Sequence, residues 1–172
     1  MPSKKSKEAQ NRPFLWNTES DCSEKRLTEI AGKLALDLKP SDRVILDGEM
    51  GAGKSTFARA LLQALGFELT AEGSPSFAIA HEYQRKDQAQ AIHMDLYRLE
   101  SEEDLFAAGT EEMIWKSNAW VLTEWLSKFP TTQKRLFGSK NLGFRVWWVK
   151  IIFSESRSES PETRNIRIER LG

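Results

Sequence analysis

The stretch Gly48-Glu49-Met50-Gly51-Ala52-Gly53-Lys54-Ser55-Thr56 narrows the choice of folds more than any other part of the chain. It has the spacing G-x-x-x-x-G-K-[ST], with the apolar run Val44-Ile45-Leu46 before it and Phe57-Ala58-Arg59-Ala60-Leu61-Leu62 after it. That is the strand and helix context the pattern needs. Glycines at Gly48, Gly51 and Gly53 let the backbone curl with its N–H groups inward and no Cβ in the way. A helix opening near Lys54 adds the positive end of its dipole and its unpaired N–H groups. Such a loop holds phosphate: Lys54 would reach the β and γ phosphates of a nucleotide, and Ser55 would offer its hydroxyl to a bridging Mg2+. The alternative is a fortuitous glycine-rich turn, and the flanking elements argue against it.

Composition frames this reading. The chain has 172 residues, 40% of them hydrophobic, enough for one domain with a sizeable core. Residues 1–13 are polar and expected to form a disordered tail, leaving 14–172 as a single domain. Lys and Arg balance Asp and Glu at 25 each, which argues against bulk nucleic-acid binding. The charge is uneven along the chain, however. Residues 82–124 hold ten acidic and four basic residues, whereas 131–172 hold four acidic and nine basic. The later segment is either the face for an anionic partner such as RNA or a solvated basic surface. Cys22 is the lone cysteine, which excludes an intramolecular disulfide and a cysteine metal cluster. No apolar run approaches the ~18 residues of a membrane span, and the start has no signal-peptide core. A soluble, cytoplasmic protein is expected.

In chain order, Phe14-Leu15-Trp16 reads as a short strand. Asp21 and Glu24 have capping-box spacing ahead of Leu27, Ile30, Ala31, Leu34, Ala35 and Leu38, one face of a helix. The run Val44-Ile45-Leu46 suits a strand covered on both faces. The helix after the loop stops at Gly66. Ser74-Pro75-Ser76-Phe77 is either a turn before an alternating strand or a segment that senses the γ-phosphate. Ala91-Ile92-His93-Met94-Asp95 is a strand ending on a carboxylate, where an α/β nucleotide fold places its chemistry. Asp95 is thus a candidate for the magnesium shell or for orienting the attacking water; the alternative is a helix cap or a salt bridge to Arg98. Ser101 caps a short helix with an acidic first turn, and Thr110 to Trp115 makes another. Ala119-Trp120-Val121-Leu122-Thr123-Glu124-Trp125 is an apolar strand ending in an acid, which a phosphate-loop enzyme needs to face its magnesium. Residues 130–143 read as a loop, and Arg145 to Phe153 and a run through Ile166 and Ile168 as strands. Alternation along the first of these assigns Trp147 and Trp148 to packing rather than base stacking, and His81 and His93 read as packing or hydrogen-bonding residues.

Together, the loop at 48–56, Ser74-Pro-Ser-Phe77, His93-Met-Asp-Leu-Tyr-Arg-Leu99 and Thr123-Glu-Trp125 resemble, in order and spacing, the TsaE family, also called YjeE. The resemblance is specific from about residue 14 to about 129 and looser beyond. It implies a small ATPase that supports threonylcarbamoyladenosine modification of tRNA together with TsaB and TsaD, the last carrying the transfer chemistry. It further implies that Lys54 binds phosphate, Ser55 and Glu124 hold Mg2+, and Asp95 assists hydrolysis. Ser74 to Phe77 would then act as a switch, and Trp125 would lie beside the nucleotide. Four positions depart from the usual pattern: Glu49-Met50 stands for Asp-Leu, and Ser55 and Ser76 stand for Thr. These swaps keep the needed atoms, the hydroxyls of Ser55 and Ser76 among them.

Two other functions fit the same loop. A small-molecule kinase would need an arginine-rich lid, and no arginine pair sits on a convincing lid helix. A nucleotide-gated binding module would need occupancy alone. A GTPase is disfavoured because no Asn-Lys-x-Asp sequence is present. The expected fold is α/β, three layers around a mixed, mostly parallel sheet of the P-loop type.

Overall fold

The computed structural model describes residues 13–69, 79–138, 143–154 and 163–171. Ser74, Pro75, Ser76 and Phe77, and residues 1–12 of the expected tail, lie outside them. Seven strands form one sheet: β1 (Phe14–Cys22), β2 (Arg43–Asp47), β3 (Ala80–Gln84), β4 (Gln90–Asp95), β5 (Ala119–Glu124), β6 (Val146–Phe153) and β7 (Arg164–Leu171), in the order β1-β7-β6-β2-β5-β4-β3. The four central strands, β6-β2-β5-β4, run parallel, and antiparallel pairs close both flanks. The helices are α1 (Glu24–Asp37), α2 (Lys54–Ala64), α3 (Glu102–Ala107), α4 (Thr110–Trp115) and α5 (Pro130–Gly138), with a 3-10 turn at Leu126–Lys128. Among the described residues no helix is long and apolar enough to cross a membrane.

The side-chain period of two splits the central strands between two cores. On β2, Val44 and Leu46 join Leu27, Leu34, Phe57 and Leu61 of α1 and α2, whereas Ile45 joins Leu105, Ile114, Leu126 and Leu136 on the opposite face. Helices therefore cover both faces, which accounts for the continuous apolar run. Fully burying Phe57, Leu61 and Leu62 contributes about 1.5–3 kcal/mol each and presses α2, with the loop at its start, onto the sheet.

The other end of β2 is locked by two buried charges. Arg43 donates to the carbonyls of Ile114, Lys116 and Ala119, and its guanidinium lies 4.1 Å from the Phe144 ring centroid. Burial pushes its pKa down to about 10, so it stays charged at neutral pH. Asp42 accepts from the Lys39 backbone, from Trp147 Nε1 and from Arg145, tying β6 to β2. With this end fixed, the carboxyl ends of β2, β4 and β5 form a rigid rim.

Three local expectations are corrected. Ser23, not Asp21, caps α1 by accepting from the Arg26 N–H at 3.2 Å. Asp21 belongs to β1, which extends to Cys22 through polar residues because an edge strand is held by its ladder to β7 rather than by burial. Residues 130–138, read as a loop, are helical. Pro130 suits a first helical position, and the carboxylate of Glu102 caps the helix from α3: Oε1 accepts from the Thr131 and Thr132 N–H groups and Oε2 from Thr132 Oγ1. The stabilising partner is some 30 residues away, so a local reading sees only Pro, two Thr and Gly.

That cap makes a stability prediction. Desolvation raises the Glu102 pKa, but the hydrogen bonds from Thr132 and Thr131 outweigh it and leave it below 4.5. A lowered carboxylate pKa means the contribution is complete above 4.5 and is lost as pH falls through the folded value. Glu102→Ala should cost about 0.5–2 kcal/mol in urea unfolding at pH 7, and the gap between the two proteins should close as the pH is lowered below 4.

Candidate functional site

The loop from Asp47 to α2 wraps a turn that glycine alone permits at one position. Gly48 has φ 146°, and a Cβ there would lie 2.0 Å from the Ile151 carbonyl oxygen of β6. Gly51 and Gly53 also have positive φ, with ordinary or slightly tight space around them. Gly53 hands the chain directly to α2, so Lys54, Ser55 and Thr56 occupy its first turn.

Lys54 is 4% exposed, and its ammonium donates to the carbonyls of Gly48 and Glu49, each at 2.8 Å, while lying 3.9 Å from the Trp125 ring centroid. An ammonium has three donors, so two hold the loop and the third can address a ligand. Burial pushes the Lys54 pKa below the ordinary value, opposed by the charges of Glu124, Asp95, Asp47 and Glu49. The site is therefore rich in carboxylates around one cation.

Parallel pairing sets those carboxylates level. Leu46 pairs with Glu124, and Glu124 with Asp95, so the two acids stand side by side at the ends of β5 and β4. Glu124 is 1% exposed. Its Oε2 accepts from Ser55 Oγ at 3.0 Å, and its Oε1 lies 2.8 Å from His93 Nε2. Asp95 sits nearer solvent and accepts from the Tyr97 N–H at 3.0 Å. Immediately after Glu124, Trp125 takes a left-handed φ of 65°, which drops its ring under Lys54 and 5.0 Å from Tyr97.

These groups enclose a cavity of about 420 Å³. Met50, Gly51, Gly53, Lys54, Ser55, Thr56, Asp95, Glu124 and Trp125 all line it. Gly48 and Glu49 are not among the lining residues but contribute carbonyls to Lys54, and Ala52 is buried. Three participants had no site role assigned from sequence. Tyr97 lines the cavity, Asp47 accepts from Ser127 Oγ and the Gly48 N–H, and His93 braces Glu124. The signal for His93 was its two-residue spacing from Asp95, which places both on one face of β4.

The donor set suits a small divalent cation. Adjacent ligands of an octahedral Mg2+ with bonds of about 2.1 Å lie about 3.0 Å apart, the spacing that Ser55 Oγ and Glu124 Oε2 already have. Backbone N–H groups of the loop, the start of α2 and Lys54 together could hold an anionic phosphate chain beside it.

A family model described as threonylcarbamoyl adenosine biosynthesis protein TsaE matches residues 22–150. A tRNA threonylcarbamoyladenosine biosynthesis protein TsaE from Rickettsia conorii is 37% identical over 103 residues, 60% of this chain and 57% of that protein. Its namesake from Bacillus subtilis is 34% identical over 115 residues, 66% of this chain and 67% of that one. The match thus spans less than two thirds of the Rickettsia relative's length. The crystal structure of Bacillus subtilis YdiB superposes with a TM-score of 0.64 over 94% of this chain and 88% of its own, at 22% identity, a likeness of fold.

The loop geometry separates two glycine substitutions. Gly51→Ala meets only ordinary contact and should cost about 1–2 kcal/mol for its left-handed backbone. Gly48→Ala must also move β6 backbone and should cost at least about 3 kcal/mol, read as a lower urea midpoint. Equal losses would show that the Gly48 contact with Ile151 does not constrain the loop.

Proposed function

The chain belongs to the TsaE family, and from that membership and the geometry of the cavity we propose that it binds ATP with Mg2+ and hydrolyses it in support of threonylcarbamoyladenosine modification of tRNA, acting with TsaB and TsaD. The observation that carries the nucleotide reading is the convergence of Ser55 Oγ and Glu124 Oε2, 3.0 Å apart, beside Lys54 in a glycine loop.

In this reading Lys54 contacts the β and γ phosphates, with its ammonium held on line by the Gly48 and Glu49 carbonyls. Ser55 and Glu124 would hold Mg2+, which would supply charge neutralisation to the phosphates. Asp95, level with Glu124 on the cavity wall, orients the attacking water. Trp125 and Tyr97 offer aromatic surface beside the nucleotide. Ser74 to Phe77 remain the proposed switch. The protein works in the cytoplasm, meeting tRNA through the complex.

Among the described residues, Lys54 is the one cation lining the cavity. A transition state that spreads charge over the transferred phosphoryl group gains about 10³–10⁵ in rate from an added arginine, so hydrolysis by the isolated chain is slow. The same lack weakens the kinase alternative, which needs a cationic lid.

The test is ATP hydrolysis by the chain alone and with TsaB, TsaD and tRNA, using two variants. Lys54→Ala should weaken nucleotide binding by about 10–100-fold, the value of a charge-assisted hydrogen bond to phosphate. Glu124→Ala should keep nucleotide bound yet lower hydrolysis about 100-fold or more and stop repeated rounds of tRNA modification. Full modification by the Glu124 variant would make the chain a nucleotide-gated binder, and transfer of labelled phosphate to a small molecule would make it a kinase.

A further inference from the structure

The pairing of His93 with Glu124 has a consequence for the cation site. Both side chains are 2% exposed, and their contact is 2.8 Å. Glu124 therefore has both oxygens engaged from opposite sides: Oε1 with His93 on the neighbouring strand, Oε2 with Ser55 on α2. An ionised carboxylate only accepts, so the Nε2 of His93 carries the proton and donates. The terminal torsion of a glutamate is broad and its two oxygens are equivalent, so nothing intrinsic to the side chain fixes the plane in which they lie. The partner at Oε1, opposite Ser55 at Oε2, fixes that plane.

We propose that His93 is the positioning residue of the cation site: by donating from Nε2 to Glu124 Oε1 it turns Oε2 toward Ser55 and fixes the spacing into which Mg2+ fits. The inference rests on the nucleotide and magnesium reading of the cavity given above. His93 does not line that cavity, while Asp95, two residues along the same strand face, does. The two-residue stride thus gives β4 one residue that faces the ligand and one that braces a neighbour from beneath. A role in packing alone would be met by an apolar side chain, as at Ile92 and Met94, which face the other core. A role as a ligand in the cavity does not fit, because Nε2 is committed to Glu124 and the ring is not among the lining residues.

The experiment compares His93→Leu, which keeps volume without a donor, with His93→Gln, whose amide N–H can reach Glu124. ADP binding is measured by calorimetry in EDTA and across a Mg2+ titration, and kcat and KM for ATP are measured across the same titration. Loss of a hydrogen-bond partner to a metal ligand typically costs 10–100-fold in metal affinity, so His93→Leu should raise the Mg2+ concentration for half-effect by about tenfold or more. Its metal-free ADP affinity should stay within about twofold of the native protein, and His93→Gln should restore the Mg2+ requirement to within about threefold. A Mg2+ requirement unchanged in His93→Leu overturns the proposal, as does equal impairment of the Leu and Gln variants, which would mark the position as one of shape. If the Leu variant does not fold, His93→Asn takes its place; its shorter amide should show the raised requirement, and parity with Gln overturns the proposal. Native protein that binds ADP identically with and without Mg2+ would overturn the magnesium reading itself, a result distinct from a native response to Mg2+ that His93 variants leave untouched.

Discussion

One register governs the site: the parallel alignment that sets Leu46, Glu124 and Asp95 level across β2, β5 and β4. Because side chains alternate with a period of two, a slip of β5 by one residue would turn Glu124 into the apolar core of Val121 and Leu126 and bring Thr123 or Trp125 under the loop. Burial on both faces forbids that slip, since it would exchange Val121 and Leu122 between differently shaped cores. The same alternation puts His93 and Asp95 on the face of β4 that looks toward α2. The chemistry at the carboxyl ends is thus fixed by hydrophobic packing several residues earlier in each strand, and Arg43 and Asp42 hold the far ends so that this packing cannot shear.

The electrostatics follow from the same crowding. Glu124, Asp95, Asp47 and Glu49 surround one desolvated ammonium, so the rim is negative before any ligand arrives. An anionic phosphate chain entering alone would meet Lys54 but also repulsion from at least two carboxylates. On the proposed reading a divalent cation removes that repulsion. On that reading the negative rim would favour a metal-bound nucleotide over a free one.

Much of this was legible in the sequence where a residue type is forced by local geometry. The glycines, Lys54 and Ser55 spell a loop whose chemistry lies within nine residues, and the covered strands show as unbroken apolar runs ending in Asp95 and Glu124. What escaped depends on partners distant in sequence. Helix α5 is capped by Glu102, β1 is held by β7, and the bracing role of His93 exists only once β4 and β5 align. The helix cap at Ser23 was displaced because Asp21 offers the same spacing to Glu24, and only the extension of β1 through Asp21 decides between them.

Trp125 shows how the loops over this rim are joined. A left-handed backbone costs a residue with a Cβ about 1–2 kcal/mol, and among the described residues the other non-glycine residues with positive φ are Asp21, Ser41, Gln88 and Asn118, all small or polar. A bulky aromatic in that conformation persists only where its surroundings over-determine it. Here its ring carries the Lys54 ammonium and packs on Tyr97, and the turn it starts places Ser127 on Asp47 and Lys128 on the carbonyls of Tyr97 and Leu99. The segments that follow β2, β4 and β5 are thereby tied through one residue. Glycine would relieve the backbone but leave Lys54 without its aromatic face and the three segments joined only at their polar contacts. The strain at Trp125 is therefore the counterpart of a rim in which loop, carboxylates and aromatic wall hold one arrangement.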